Sequence, residues 1–171
     1  MDELDVLMGI FDRAKQFMRS AGNHNQWING YPQRELIAGE IRDGHCYVCE
    51  TGDHGTCAVF CMIAGDDPTY SYIDGAWLSD RPYVTIHRLG SDGRVRGIGK
   101  ACFDFARRQG VNIRVDTHAD NRPMQNLVTG YGFKYCGVIY LENGDPRLAY
   151  ELLNGFHEIQ ELCKHPHEEL R

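Results

Sequence analysis

Apolar residues recur at helical spacing near the start of the chain and at strand spacing, or in short runs, further on. Leu4, Leu7, Met8, Phe11, Ala14 and Met18 share one helical face, which predicts a helix over residues 3–20. Ser20-Ala21-Gly22-Asn23 ends it, and residues 25–31 read as a loop rich in amides and aromatics. Pro32 suits the start of a second helix carried by Leu36, Ile37 and Ile41. Residues 45–50 and about 56–63 read as a hairpin across the turn signal Gly52-Asp53-His54-Gly55. An insertion-like stretch over 65–82 carries Tyr70, Tyr72 and Trp77. A strand over 83–90 precedes a helix reaching about Arg108, with Ile98, Ala101, Cys102 and Phe105 on its buried side. Gly110 stops that helix, and a strand over 112–116 follows. Asn121 is placed to cap another helix, with Pro123 in its first turn and Met124, Leu127, Val128 and Tyr131 on its apolar face. Strands over 133–140 and 148–152 close the pattern across Asn143-Gly144-Asp145. The order α-α-β-β-β-α-β-α-β-β predicts an α/β sandwich with a mixed sheet. Residues 1–152 read as one domain, and 153–171 as a polar, helical tail.

One run interrupts this pattern with chemistry. Arg94-Val95-Arg96-Gly97-Ile98-Gly99-Lys100-Ala101 lies between the strand over 83–90 and the helix after it. Glycines at i and i+2 let the backbone approach a ligand closely. A helix starting there turns its first N–H groups outward with partial positive charge. Arg94, Arg96 and Lys100 add full charges, a local reversal in a chain of net charge −6. Together they describe a cradle for a phosphate or diphosphate. A nucleotide P-loop does not fit: Gly93 is one residue too far from Gly99-Lys100, and Ala101 replaces the metal-binding hydroxyl. A dinucleotide fingerprint fails at Cys102, where its third glycine belongs.

The spacing Arg94-x-x-Gly97-x-Gly99 resembles the acyl-CoA pyrophosphate loop of the GNAT superfamily of N-acetyltransferases. A second block, Asn121 through Tyr131-Gly132-Phe133, is similar to that family's asparagine-to-Gly-Phe segment and follows at the right distance. The resemblance spans about residues 40–152. It implies a mixed, mostly antiparallel central sheet with splayed middle strands and helices on both faces. It also implies acetyl-CoA as co-substrate, with no metal. The cofactor would be held by Arg88, Leu89, Gly90, Arg94, Val95, Arg96, Gly97, Ile98, Gly99, Lys100, Ala101, Asn121 and Asn126. A main-chain N–H at Leu89 or Gly90 would polarise the thioester carbonyl. The acetyl group would pass directly to a primary amine. His87 or His118 would remove a proton from that amine, since histidine titrates near neutrality. Asp116 and Asp120 are further candidates for the base that read better as turn or capping groups. The chain departs from the family at Val128, where a tyrosine often protonates the departing thiolate. Tyr131, on roughly the same helical face, is the candidate replacement.

The acceptor, a small-molecule or peptide amine, would meet Trp27, Tyr31, Tyr72 and Trp77, with Tyr70 nearby. The same aromatics suit a homodimer interface. A non-catalytic CoA-binding or sensor module is the alternative function, and an assembly protein with an aromatic dimer face a third.

Composition narrows the partners. Hydrophobic content of 42% and charged content of 25% are ordinary for a globular chain. Net acidity argues against nucleic acid, and no apolar run is long enough for a membrane span. Seven cysteines do not form a metal pattern: Cys46 and Cys49 fall on opposite faces of a strand, and Cys57 and Cys61 lie well apart along theirs. Cys163, His165 and His167 lie in the polar tail. Reduced, mostly buried thiols are expected, in a cytoplasmic protein.

Overall fold

In the computed structural model, which describes residues 3–155, two helices lead into a sheet. They are α1 (Glu3–Ser20) and α2 (Arg34–Arg42). Strands β1 (Cys46–Thr51) and β2 (Gly55–Ala64) form the expected hairpin. A 3-10 turn (Pro68–Tyr70) and the two-residue strand β3 (Asp74–Gly75) follow, then β4 (Tyr83–Ser91), α3 (Ile98–Arg107) and β5 (Asn112–Thr117). The last elements are α4 (Arg122–Tyr131), β6 (Lys134–Tyr140) and β7 (Pro146–Leu152). The seven strands make one sheet in the order β1-β2-β4-β5-β7-β6-β3, antiparallel except where β4 meets β5.

Helices cover both faces, and β2 records this in its burial. Residues 57–62 are buried without alternation, because each face of the strand has its own cover. Val59 packs with Leu7, Ile10, Phe11 and Ile37 of α1 and α2. Ala58, Phe60 and Met62 pack with Ile98, Cys102, Phe103 and Val128 of α3 and α4. Phe11 is fully buried. A Cβ at Gly90 would stand 3.2 Å from its ring, so α1 sits directly on the β4 backbone. Truncating a phenylalanine so placed costs about 3–5 kcal/mol.

The middle of the sheet splays. β4 and β5 pair in parallel from Tyr83 opposite Asn112 to Ile86 opposite Val115, and the pairing ends there. Beyond that point β4 stays paired with β2, but its register shifts between Val59 and Cys61. The extra residue lies at Arg88–Leu89, and Arg88 takes a φ of 53°. That left-handed conformation is held by its guanidinium, which donates to the Tyr31 hydroxyl and to Glu40 Oε1, both at 2.8 Å.

Three local expectations change. Pro32 does not open α2: Gln33, in extended conformation, is the N-cap and the helix begins at Arg34. The buried stripe of α3 is Ile98, Cys102, Phe103 and Ala106, while Ala101 is exposed and Phe105 half-buried. Packing beside α4 rotates that stripe, with the Phe103 ring 4.9 Å from Phe133 and 5.1 Å from Tyr131. The stretch over 65–82 is no free excursion. It crosses one sheet face and adds β3 beyond β6, where Gly75 pairs with Gly137. A Cβ on either would run into the other strand's backbone.

Asn154, just past β7, is buried and pinned by Asn112 and Arg107. Of the helical tail expected over 153–171, residues 153–155 are not helical and 156–171 lie outside the described residues. Among the described residues, no helix is long and apolar enough to cross a membrane. None of their His, Cys, Asp and Glu side chains groups in threes to hold a metal ion. Cys57, Cys61, Cys102 and Cys136 are buried free thiols, and Cys46 and Cys49 are half-buried.

Candidate active site

Where β4 and β5 part, a cleft of about 910 Å³ opens along the sheet. The start of α3 borders one end and the insertion borders the other. The loop between α1 and α2 closes its side. Asn121 caps α4 by accepting from Met124 N at 3.2 Å, and its Nδ2 donates to Gln26 Oε1 at 2.8 Å. Asn25 reaches Asp120 Oδ2 at 2.9 Å. Trp27, with a φ of 56°, lays its ring 5.6 Å from Phe11.

At the α3 end, Gly97 is the N-cap in left-handed conformation, φ 80°, with no side-chain cap on the helix. A Cβ there would meet nothing within 4 Å. Gly97 itself therefore borders open space, and the first N–H groups of α3 have no partner within the helix. Arg96 and Lys100 are exposed, with no ion-pair partner among the described residues. Arg94 is engaged: its Nε donates to Asp92 Oδ2 at 2.6 Å and its Nη2 to Thr56 O at 3.0 Å. Asp92 also accepts from Arg94 N at 3.0 Å and has its side chain withdrawn from solvent. Burial alone would raise its carboxyl, but the bonds from Arg94 outweigh that and hold it below the usual range. This arginine thus shapes the loop through Asp92. Gly99 has a separate reason to be glycine, since a Cβ there would run into Leu127 of α4.

Leu89, Ile98, Gly99 and Asn121 line the cleft, as does Arg88, whose charge is committed to Glu40. Gly90, Arg94, Val95, Arg96, Gly97, Lys100, Ala101 and Asn126 are outside the lining. Thr117 lines it too, on the end of β5 that has parted from β4 but still pairs with Leu148 of β7, and its buried hydroxyl has no hydrogen-bond partner. An orphaned hydroxyl beside an open groove fits a ligand carrying amides. The uncapped helix and its exposed cations fit a diphosphate. Both features suit coenzyme A.

At the other end, His87 Nε2 lies 2.8 Å from Asp67 Oδ2. Asp67 is fixed in turn by Thr69, whose N and Oγ1 donate to Oδ1 at 2.8 and 2.6 Å. Burial would raise the Asp67 carboxyl, yet the bonds from His87 and Thr69 prevail and bring it down to about 2. An ionised carboxylate only accepts, so His87 Nε2 carries the proton. In the neutral ring Nδ1 is then a free acceptor. Nδ1 faces Asp116 Oδ1 at 3.9 Å, and that oxygen accepts from the Tyr70 hydroxyl at 2.8 Å. Burial and Asp116 push the Tyr70 hydroxyl well above its ordinary value, so it remains a donor.

The structure brings His87, Trp27 and Tyr31 to the cleft and leaves other expected residues out. His118 is outside the lining and its Nδ1 accepts from Asp120 N at 3.1 Å. Tyr131 is also outside, its hydroxyl donating to Asp104 Oδ1 at 2.6 Å across α3 and α4. Tyr72 lies exposed beside Tyr140. Trp77 is a packing residue, its ring 5.2 Å from Tyr70 and capped by Arg114 at 4.0 Å. Asp116, read as a turn or cap, sits inside β5. Asp67 was not anticipated, because an acidic turn without periodicity gives no sign of which side chain it will face.

No family model matches the sequence, and no curated protein matches it. Solved structures do. An acetyltransferase of the GNAT family from Streptococcus agalactiae 2603 is 32% identical, over 88% of this chain and 90% of that one, with a TM-score of 0.77. A Staphylococcus aureus Mu50 protein assigned as an acetyltransferase shares the fold at 24% identity, over 90% and 94% of the two chains, with a TM-score of 0.65. A chain of the NatB acetyltransferase complex, solved with CoA and MES, shares it at 11% identity, over 80% and 94%, with a TM-score of 0.51. With the splayed sheet, the bulged β4 and the glycine loop at the head of α3 in the same molecule, the chain belongs to the GNAT family of acetyltransferases.

Proposed function

We propose that this protein transfers the acetyl group of acetyl-CoA to an amine, which attacks the thioester directly. The observation that carries the reading is the continuity of the cleft, from the uncapped start of α3 to the His87–Asp67 pair. Main-chain N–H groups over 97–100, with Arg96 and Lys100, would hold the diphosphate. The edge of β4 past Ile86, with Thr117 across the gap, would hold the pantetheine amides. Acetyl-CoA supplies the activated acyl group. A main-chain N–H at Leu89 or Gly90, next to the bulge at Arg88, would donate to the thioester oxygen. Asp67 keeps the proton on Nε2 of His87, which leaves Nδ1 to take the proton from the attacking amine, directly or through a water.

A second reading, a CoA-binding sensor without turnover, draws on the acid side of the reaction. Val128 is buried in the core and Tyr131 is tied to Asp104, so neither would protonate a thiolate. A thiolate also takes its proton from water, and the ordered His87–Asp67 pair favours catalysis. Calorimetry with acetyl-CoA and thiol release across an amine panel separate the readings. Binding with turnover supports the enzyme, binding with no turnover the sensor, and no binding at millimolar ligand removes both.

A further inference from the structure

Among the described residues, three arginines have side chains largely withdrawn from solvent, and two of them each make two hydrogen bonds, one to a carboxylate. Arg88 is held by Tyr31 and Glu40. Arg114 donates to Glu151 at 3.2 Å and to Ser79 O at 2.8 Å, between the rings of Trp77 and Tyr83. Arg147 is different. Its side chain is 9% exposed, and it makes one hydrogen bond, from Nη1 to the carbonyl of Pro146 at 2.9 Å. Its one ion pair among the described residues is with Asp145, at 3.9 Å from Nη2, and that aspartate is 49% exposed. A guanidinium has five N–H groups and is costly to bury without an anion. Arg147 lines the cleft, so its unused donors have an outlet there.

Its position relative to the base gives that outlet a meaning. Asp116 pairs with Ala149 across β5 and β7, and Arg147 is two residues from Ala149 on the same sheet face. Diagonal neighbours of this kind lie about 7–8 Å apart, with their Cβ atoms somewhat closer. The acceptor end is therefore bipolar: Asp67, Asp116 and the open nitrogen of His87 on one side, and an under-paired arginine on the other.

Resting on the acetyltransferase reading, we propose that the acceptor is a zwitterion: a free amino acid whose carboxylate lies a few bonds from the reacting amine and pairs with Arg147. The ammonium is drawn to the Asp67–His87–Asp116 side, where it gives one proton to Nδ1 of His87; the amine then adds to the thioester carbonyl, the C–S bond breaks, and the amine's further proton leaves through water to the departing CoA thiolate. The carboxylate displaces the exposed, distant Asp145 from Nη2 and takes the planar two-donor contact that guanidinium favours. Arg147 is thus a specificity residue, and the site discriminates against amines lacking the acid.

The test is thiol release from acetyl-CoA with the common L-amino acids, β-alanine and γ-aminobutyrate, each beside its carboxamide and its decarboxylated amine. The expected result is at least one amino acid preferred over its amide by about 30-fold or more in kcat/KM, the scale of a charged hydrogen-bonded pair. Arg147→Gln should collapse that ratio to about threefold or less, mainly through KM, with acetyl-CoA affinity unchanged by calorimetry. Arg147→Lys should restore part of the preference, which a purely structural role would not do. Equal use of acids and amides, or turnover of the decarboxylated amines alone, overturns the proposal and leaves the acetyltransferase reading standing. Loss of the ratio in neither variant also overturns it. Failure of the wild-type protein to bind acetyl-CoA overturns the reading beneath it.

Discussion

At one end of the cleft, residues 92–101 offer main-chain N–H groups and exposed cations from a single continuous run of chain. At the other, Asp67 comes from the insertion, His87 from β4 and Asp116 from β5, and the three meet with little exposure. The first end is open: a Cβ at Gly97 touches nothing, and Arg96 and Lys100 point to solvent. The second is already ordered, with every carboxylate oxygen that touches His87 fixed by a further donor or by His87 itself. An anion-binding loop gains from adaptable surroundings, because long flexible cations can follow a mobile diphosphate. A proton-transfer pair gains from rigidity, since a fixed tautomer and a fixed distance decide whether the proton moves.

The contrast can be broken most sharply at the ordered end. His87→Ala should lower kcat/KM by about 10³, within the range for loss of a general base, and leave acetyl-CoA affinity within about twofold. An equal loss of cofactor binding would show that the two ends are not separable. Gly97→Glu should weaken acetyl-CoA by about 100-fold in calorimetry, because it fills the open space with bulk and negative charge. Unchanged affinity would put the diphosphate elsewhere. Asp67→Asn should reduce kcat by about 10-fold or more, because the amide no longer dictates which nitrogen of His87 holds the proton.

Smaller effects refine the picture. Asp67 is held at about 2, below its unfolded value, so its contribution to stability is present above about pH 4 and is lost as pH falls toward 2. Thermal melts of wild type and Asp67→Asn should therefore differ most near neutrality, by about 1–2 kcal/mol, and converge in acid. A constant difference across that window would mean the carboxylate is not ionised through the His87 contact. Tyr131→Phe should change kcat by less than about twofold and cost about 1 kcal/mol or less, as loss of one partly exposed hydrogen bond does. A large fall in kcat would return Tyr131 to the chemistry.

How far the site could be read in advance follows the same division. Gly97 was legible as the head of α3 because a helix start depends on neighbours a few residues away, whereas the contact of Gly99 with Leu127 and the tie of Arg94 to Asp92 were not. Asn121 was legible as an N-cap for the same reason, although its bond to Gln26 was not. Trp77 and Tyr72 were read as acceptor aromatics from residue type alone. Packing sends Trp77 into a stack with Tyr70 and Arg114, and Tyr72 to a surface beside Tyr140. Phe103 was missed on the buried stripe of α3 because that stripe answers to α4 as well as to the sheet. Arg147 gave no signal, since it falls just ahead of the strand expected over 148–152, and an arginine beside a turn usually faces water.

Local order in the chain was enough to specify the four helices within a few residues, every strand but β3, the glycine run at the head of α3 and, through two spaced blocks, the family. Periodicity and backbone conformation are set within a few residues, and they survive in a one-dimensional record. Folding alone joined the insertion to the splayed strands, choosing Asp67 to orient His87 and leaving Arg147 short of partners beside them. Those choices depend on which side chains share a sheet face across three separate segments, and contacts of that range have no imprint in local spacing.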